Sequence, residues 1–131
     1  MATKKSDVKR SVKVAEAIRG ELMNMLLAGD VHDPGVQSAV ISAVRLSDDL
    51  RMARVYARTL ELSVDEGDRQ RLLDALNRAR GYLRREVAQR LRLRYAPELR
   101  FFWDDSIDEG RQIEALLREV RGDADDGSGD A

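Results

Sequence analysis

The sequence predicts one α+β domain in which helices cover a single face of a small sheet. The chain has 131 residues, enough for one domain with a modest hydrophobic core. Two runs of β-branched and small apolar residues, at 38–46 and 52–60, predict a hairpin, and a third strand is expected at 99–103. Amphipathic segments before, between and after these strands predict helices. The expected order is helix, strand, strand, helix, kink, helix, strand, helix, without an internal repeat.

A first helix is predicted over residues 11–28, because apolar side chains recur there at helical spacing. Gly29 is expected to end it, since glycine adopts the left-handed C-terminal conformation more readily than other residues. The Asp33–Pro34 pair that follows favours an extended or turn conformation. The apolar stripe of the helix consists of Val14, Ile18, Leu22, Met25 and Leu26.

The hairpin is expected to have one apolar face and one wet face, as it would if helices packed on one side only. A polar loop at 47–51 joins its strands. Alternation is clearest in the second strand. Its apolar side carries Ala53, Val55, Ala57 and Thr59, and its polar side carries Arg54, Tyr56 and Arg58.

Two helices joined by a kink are predicted next. Ser63 and Glu66 have the spacing of a capping box at the start of the first helix. A break is expected at 79–81, because a glycine inside a helix costs about 1 kcal/mol relative to alanine. Pro97 ends the helical region and leads into the third strand. The apolar stripe of the pair is Leu72, Leu73, Leu76, Ala79, Leu83, Val87 and Leu91.

The C-terminal part is expected to form one more helix and then a disordered tail. Residues 106–120 show helical spacing, although Gly110 favours a start after that position. The segment 122–131 is acidic and rich in Gly and Ser, so it cannot bury enough apolar surface to offset the entropy of ordering. The predicted division is a flexible basic N-terminus at 1–10, a folded domain at 11–121 and an acidic tail at 122–131.

Enzymatic and metal chemistry find no support in the sequence. The chain has no cysteine, which excludes disulfides and thiol catalysis. The one histidine, His32, lies in a loop, and no HExxH, Walker or GxGxxG pattern is present. The acidic pairs Asp48–Asp49 and Asp104–Asp105 are typical of solvated turns and helix caps. We therefore expect no catalytic residue, no metal and no cofactor.

The chain is also expected to be cytoplasmic and free of the membrane. No apolar run approaches the roughly 20 residues that a membrane-spanning helix needs. The N-terminal residues lack the apolar stretch of a secretory signal. The absence of cysteine suits a reducing compartment.

Positive charge is concentrated between residues 69 and 100. This segment contains ten arginines and three acidic residues, a net charge of plus seven, whereas the whole chain is formally minus one. Acids at helical spacing can balance only a few of these arginines. The pattern favours a nucleic acid as partner over a merely solvated surface. The candidate RNA-binding arginines are Arg78, Arg80, Arg84, Arg85, Arg90, Arg92 and Arg94.

Aromatic residues add only a weak sign of base stacking. Phe101 and Phe102 alternate across the third strand, so at least one of them is expected in the core. Trp103 and Tyr56 are each expected to pack rather than to stack on a base.

The order of elements is that of type II KH domains, and a series of strings resembles the bacterial ribosome-binding factor A family. In the first half these strings are Val14-Ala15-Glu16, Ile18, Leu22, Asp33-Pro34, Val44, Leu46-Ser47-x-Asp49-Leu50 and Ala53-x-Val55-Tyr56. In the second half they are Ala79-x-Gly81, Leu83-Arg84, Leu93-Arg94-x-x-Pro97-Glu98-Leu99-x-Phe101, Asp104-x-Ser106 and Gly110. The resemblance covers residues 12–120 and rests on the ordered set of strings.

The resemblance implies a KH-like domain of type II, with a three-stranded sheet covered on one face by helices and an additional C-terminal helix. Ordinary KH domains hold nucleotides with a GxxG loop between two helices. In this family an Ala-x-Gly kink replaces that loop, which adds Ala79 and Gly81 to the candidate RNA-binding residues. One departure from the family is Gly35, since the family commonly has arginine after Asp-Pro.

The function implied by the resemblance is non-catalytic assembly of the small (30S) ribosomal subunit. It comprises binding of the immature subunit and its rRNA, with assistance to maturation of the 5′ region of 16S rRNA, often with importance in the cold. The implied partners are the subunit, its rRNA and ribosomal proteins, and the protein itself is expected to be a monomer.

Two other functions stay open at this point. One is a general KH-like RNA chaperone or regulator of messenger RNA. The other is a protein-interaction module, whose exposed sheet edge or C-terminal helix docks a partner. A steep dependence of RNA affinity on salt would favour an RNA-binding function over the protein-interaction module.

Overall fold

The structure, a computed structural model, describes residues 5–61 and 64–124. In chain order its elements are α1 (Lys5–Leu27), a 3₁₀ turn (Pro34–Val36), β1 (Ala39–Leu46), β2 (Met52–Thr59), α2 (Glu66–Arg78), α3 (Arg80–Arg90), β3 (Glu98–Trp103) and α4 (Ser106–Ala124). Helices and strands follow one another in the predicted order. The α+β class with a three-stranded sheet is therefore confirmed.

The sheet has the strand order β1-β2-β3, with β2 in the middle. β1 and β2 form the predicted antiparallel hairpin, whereas β2 and β3 are parallel. A parallel pair needs a crossover connection, and here α2 and α3 supply it. In β1 a bulge separates Ile41 from Ala43, and the Ser42 hydroxyl there donates a hydrogen bond to the Tyr56 carbonyl at 3.2 Å. Because a bulge adds one residue, Ile41 and Val44 both pack towards the core.

Helices α1, α2 and α3 cover one face of the sheet and bury the core against it. The side of β2 that the sequence predicts to be apolar is fully buried, since Ala53, Val55 and Ala57 are each 0% exposed. β3 contributes Leu99 and Phe101 to the same core. The helices contribute Ile18, Leu22, Met25, Leu72, Leu76, Leu83 and Val87.

α1 ends in a Schellman motif at Gly29, as the sequence predicts. Gly29 has a φ of 77°, and its N–H donates to the Leu26 carbonyl at 3.3 Å. The N–H of Asp30 donates to the Met25 carbonyl at 3.0 Å. These two bonds satisfy carbonyls that the helix end would otherwise leave without a partner.

The start of α1 differs from the prediction. The helix begins at Lys5, so residues 5–10, which were expected to be a flexible N-terminus, are helical. Once a helix has formed, each added turn costs little because propagation is much easier than nucleation. The sequence pattern locates the buried stripe and misses this polar extension.

The start of α2 also differs. The helix begins at Glu66, and Asp65 is its N-cap, with its carboxylate accepting a hydrogen bond from the Asp68 N–H at 2.8 Å. The predicted capping box from Ser63 to Glu66 is therefore wrong, because the cap lies two residues later. Asp65 and Ser63 have similar cap preferences, so local sequence did not separate them. Ser63 lies outside the described residues.

α4 begins at the first residue of the predicted segment 106–120 and ends later than predicted. It begins at Ser106, before Gly110 rather than after it, and it continues to Ala124. The Asp104 carboxylate accepts a hydrogen bond from the Ser106 N–H at 2.9 Å, which stabilises the start of the helix. The first three residues of the tail expected at 122–131 are thus helical, and the others lie outside the described part of the chain.

Within residues 5–61 and 64–124, no helix is long and apolar enough to cross a membrane. The same residues contain no group of three or more His, Asp or Glu side chains that could hold a metal ion. His32 is exposed in the loop before the 3₁₀ turn.

Candidate nucleic-acid interface

The break between α2 and α3 lies at Ala79, within the predicted segment 79–81. Ala79 has φ −88° and ψ 0°, and it is both the C-cap of α2 and the N-cap of α3. Its N–H donates to the Ala75 carbonyl at 3.2 Å, and its carbonyl accepts from the Leu83 N–H at 2.9 Å. One hydrogen bond therefore ties Ala79 to the end of α2, and the other ties it to the start of α3.

Gly81 lies one residue into α3 and is exposed. Its backbone does not adopt a positive φ, and a Cβ built at this position would meet no atom within 4 Å. The helix break therefore does not require a glycine here. What Gly81 provides is bare backbone on the surface beside the break, where a ligand could approach closely.

Arg78 is held by an acidic residue from a distant part of the chain. Its Nε donates to Asp33 Oδ2 at 2.8 Å, and Asp33 Oδ1 accepts from the Gly35 N–H at 2.9 Å. The bond from Arg78, followed by that from Gly35, lowers the pKa of Asp33, and the same bond to Asp33 raises the pKa of Arg78. This predicted RNA-binding residue thus ties the 3₁₀ turn to the end of α2.

Arg84 donates two hydrogen bonds to a backbone carbonyl. Its Nε and Nη2 lie 3.2 Å and 3.0 Å from the Ala96 oxygen. The guanidinium thereby connects α3 to the segment that leads into β3, just before the buried Pro97. Two of its five N–H donors are thus used inside the protein.

Arg90 is surrounded by carboxylates. Its guanidinium nitrogens lie 3.6 Å from Glu21, 3.2 Å from Asp30 and 3.4 Å from Glu86. Partial burial opposes the charge of Arg90, yet the bond to Asp30 and its other acidic neighbours raise its pKa overall. Arg90 joins α3 to α1, and its charge is already balanced.

Arg80 and Arg85 form the unpaired part of the predicted set on α3. Both side chains are exposed, and within the described residues neither guanidinium has a hydrogen bond or an ion pair. They lie on the same helix as Gly81, next to the break. This places two free positive charges beside accessible backbone.

Arg92 and Arg94 lie just after α3, and both are exposed. Arg92 has a φ of 52°, a conformation that favours glycine. The guanidinium carbon of Arg94 lies 5.4 Å from the centre of the Tyr95 ring, and that of Arg51 lies 5.3 Å from it. Two cations therefore stack on one tyrosine that is 55% exposed.

A groove of about 520 Å³ opens beside this cluster. It lies between α1, the β1–β2 loop and the segment that follows α3. Arg10 from α1 lines it together with Arg92 and Arg94. Arg10, Arg51 and Tyr95 were not predicted from the sequence, because no local pattern connects these separate segments of the chain.

The position after Asp33–Pro34 has no room for a side chain. A Cβ on Gly35 would lie 2.8 Å from the Ala75 Cβ and 3.1 Å from the Arg71 carbonyl oxygen. The 3₁₀ turn therefore packs directly on α2. Arg78 is the cation that lies beside this turn.

Comparison with known proteins agrees with the family resemblance. A family model described as Ribosome-binding factor A matches residues 10–117. The ribosome-binding factor A of Sorangium cellulosum is 43% identical over 87% of this chain and 90% of that protein. The one of Geobacter metallireducens is 44% identical over 86% of this chain and 92% of that protein.

Solved structures show the same likeness. The crystal structure of ribosome-binding factor A from Thermus thermophilus has a TM-score of 0.57 at 29% identity, covering 70% of this chain and 93% of that one. The solution structure of a Thermotoga maritima protein, a putative ribosome binding factor A, has a TM-score of 0.60 at 35% identity, covering 71% and 85%. A homology model of the Thermus factor, fitted into a cryo-EM map of a 30S complex, has a TM-score of 0.50 at 30% identity and covers 68% and 93%. Matched by the family model over residues 10–117 and by relatives along most of its length, the chain belongs to the ribosome-binding factor A family.

Proposed function

We propose that this protein is a non-catalytic assembly factor that binds the immature small ribosomal subunit in the cytoplasm. It assists maturation of the 5′ region of 16S rRNA, and its action matters most in the cold. Family membership supports this proposal, as does the fitting of a relative into a map of a 30S complex. Ribosomal proteins of the same subunit are further proposed partners, and the protein acts as a monomer.

One observation carries the RNA-binding part of this proposal. Four of the arginines predicted to bind RNA have no carboxylate partner among the described residues: Arg80, Arg85, Arg92 and Arg94. Arg80 and Arg85 lie on α3, whose exposed start includes Gly81, and Arg92 and Arg94 follow its end. Exposed guanidinium groups beside open backbone can neutralise phosphates and donate to their oxygens. The other predicted arginines, Arg78, Arg84 and Arg90, mainly hold the tertiary structure.

The test uses a variant that removes two free charges and a control that removes two paired ones. Arg80→Gln with Arg85→Gln should weaken binding to purified small subunits by on the order of tenfold at moderate salt. Arg19→Gln with Arg71→Gln is the control, because these arginines pair with Glu16 and Asp68 on their own helices. The control should bind like the native chain.

Salt dependence gives a second measurement on the same variants. Each lost phosphate contact should reduce the slope of log affinity against log salt by about 0.7–0.9. The double variant on α3 should therefore show a flatter slope, and the control should not. If the native chain sediments only in ribosome-free fractions at several salt concentrations, the assembly function is wrong.

Two alternatives make different predictions. A general RNA chaperone or regulator of messenger RNA would yield crosslinks spread over many transcripts, whereas an assembly factor yields crosslinks concentrated in small-subunit rRNA. The exposed apolar stripe of α4 favours the second alternative, a protein-interaction module. In that case the double variant on α3 would keep its partner, and RNA affinity would be absent or indifferent to salt.

A further inference from the structure

The face of the sheet that the helices leave open carries a row of three arginines. In the strand register Arg45 of β1 lies opposite Arg54 of β2, and Arg54 lies opposite Arg100 of β3. All three are exposed. Neighbouring strands lie about 4.8 Å apart, and like charges directly opposite each other destabilise a sheet. The row therefore opposes folding stability, and a polyanion bound to it would relieve the repulsion.

Little acidic charge compensates this row. Arg100 has one acidic neighbour, Glu98, at 3.6 Å. Within the described residues Arg45 and Arg54 have no ion pair and no side-chain hydrogen bond. By contrast, Arg58, four residues further along β2 than Arg54, is near the Asp104 carboxylate. The cross-strand row of Arg45, Arg54 and Arg100 thus carries positive charge with one acidic neighbour among the described residues.

An aromatic pair forms the next row of the same face. Tyr56 of β2 lies opposite Phe102 of β3, with ring centres 5.8 Å apart and ring planes inclined by 32°. Phe102, the fifth of the six residues of β3, is 41% exposed, although it is a large apolar side chain. Its neighbours in the chain, Phe101 and Trp103, are more buried. One ring surface is thus available beside the arginine row.

We propose that this open face is a second RNA surface, which binds single-stranded RNA with phosphates on the Arg45–Arg54–Arg100 row and a base stacked on Phe102. Single strands offer unpaired bases that can stack on aromatic side chains, whereas the bases of a duplex are already stacked. The proposal deepens the assembly function and rests on it for the identity of the RNA. It concerns the side of the sheet opposite α3, so the two surfaces are separable by mutation.

The test measures binding of a fluorescein-labelled oligouridine and of an RNA duplex of equal length by fluorescence anisotropy. Arg45→Gln with Arg54→Gln should weaken oligouridine binding about tenfold and reduce the salt slope by about 1.4, since each single-strand contact contributes about 0.7. Phe102→Leu should weaken binding about tenfold through loss of stacking and leave the slope unchanged. Both changes should affect the duplex less than the oligouridine.

Stability and crosslinking make the result decisive. Removing like charges from opposed positions should leave the melting temperature unchanged or raise it, so a loss of binding cannot be attributed to unfolding. Irradiation of a 4-thiouridine-containing oligonucleotide should crosslink to peptides from β2 or β3. The inference is wrong if both sheet variants bind oligouridine like the native chain, or if crosslinks map only to α3.

The α3 variant separates this inference from the proposed function. Arg80→Gln with Arg85→Gln should reduce binding to small subunits, and it should reduce oligouridine affinity less than the sheet variants do. If the native chain fails to bind subunits but the sheet variants still lose oligouridine, the assembly function fails and the RNA surface stands. If photocrosslinking from position 102 on purified subunits reaches ribosomal protein and not RNA, the face is a protein surface and the inference is overturned.

Discussion

Gly35 and Gly81 differ in how closely other atoms pack around the position that a Cβ would occupy. Around Gly35 the space is filled, with the Ala75 Cβ 2.8 Å from where a Cβ would lie. Around Gly81 nothing lies within 4 Å. Neither residue has a positive φ. The first glycine is therefore required by packing, and the second is not required by the fold.

Alanine substitutions should reveal this difference with opposite signs. Gly35→Ala should lower the free energy of unfolding by about 1–3 kcal/mol, because a rigid clash must be relieved by a backbone shift. Gly81→Ala should raise it by about 0.5–1 kcal/mol, since alanine favours an exposed helical position. Urea denaturation of both variants measures the two effects. Equal effects would contradict the packing argument.

Arg92 and Gly29 occupy the same position in two equivalent helix ends. Each follows its helix with a positive φ, and after each the next N–H reaches back into the helix, from Asp30 to Met25 and from Leu93 to the Ala88 carbonyl. Glycine is the common residue at such a position. An arginine there costs backbone strain of about 1 kcal/mol.

Exchanging the residue types should therefore shift stability in opposite directions. Arg92→Gly should raise the unfolding free energy by about 1 kcal/mol, and Gly29→Ala should lower it by about 1 kcal/mol, because no side-chain clash interferes at position 29. Thermal denaturation checks both. If Arg92 contacts phosphate, Arg92→Gly will also weaken RNA binding despite the gain in stability. A loss of stability on Arg92→Gly would rule out the strain.

The Asp33–Arg78 pair makes part of the stability depend on pH. The pKa of Asp33 is lowered in the folded chain, first by Arg78 and then by the Gly35 N–H. Its stabilisation is therefore fully present above the unfolded pKa of about 3.9, and it is lost as the pH falls through the lower folded value. The difference in unfolding free energy between the native chain and Asp33→Asn should be constant near neutral pH. It should shrink below about pH 4.

Urea midpoints measured across the acidic range check this dependence. Arg78→Gln removes the same bond from the other side, so it should reduce the acid sensitivity that Asp33 contributes. A native-minus-variant difference that is independent of pH would show that the carboxylate is not stabilised in the folded state.

At the scale of elements, α4 differs from the other three helices in leaving its apolar side chains exposed. The stripe comprises Ile113, Leu116, Leu117 and Val120, each between 48% and 65% exposed. Helices α1, α2 and α3 instead bury their stripes against the sheet. α4 thus adds little to the core of the described structure.

Polar substitutions on α4 and in the core should have unequal effects. Leu116→Gln with Leu117→Gln should change the melting temperature of the isolated protein little, because neither side chain is buried. Leu83→Asp or Val87→Asp should unfold the chain by placing an unpaired charge in the core. Circular dichroism melts compare them. A strong destabilisation by the α4 variant would indicate that its stripe is covered in solution.

At the scale of the whole molecule, a formal net charge of minus one hides an uneven distribution. Acids from the first quarter of the chain neutralise Arg78 and Arg90 across long sequence separations. Among the described arginines with little or no acidic compensation, two groups stand out, one along α3 and its end, the other on the open sheet face. Long-range electrostatics therefore follow the fold rather than the local composition.

Helices and strands were predicted accurately where burial of one face gives the sequence a regular spacing of apolar residues. The alternation in β2 and the stripe of α1 were both confirmed, because each side chain of one face meets the same core. Boundaries were less accurate at the starts of α1 and α2 and at the end of α4, where neighbouring residues have similar preferences. The order of strands in the sheet was not predicted at all.

The sequence by itself determined the α+β class, the faces that become buried and the concentration of arginine in one segment. Only the tertiary structure decided which arginines are free, since Asp33, Glu21 and Asp30 are far from their partners in the chain. It also brought Arg45, Arg54 and Arg100 into one row through strand register. The physical reason is that periodicity is local, whereas charge pairing and register depend on contacts between segments that the sequence keeps apart.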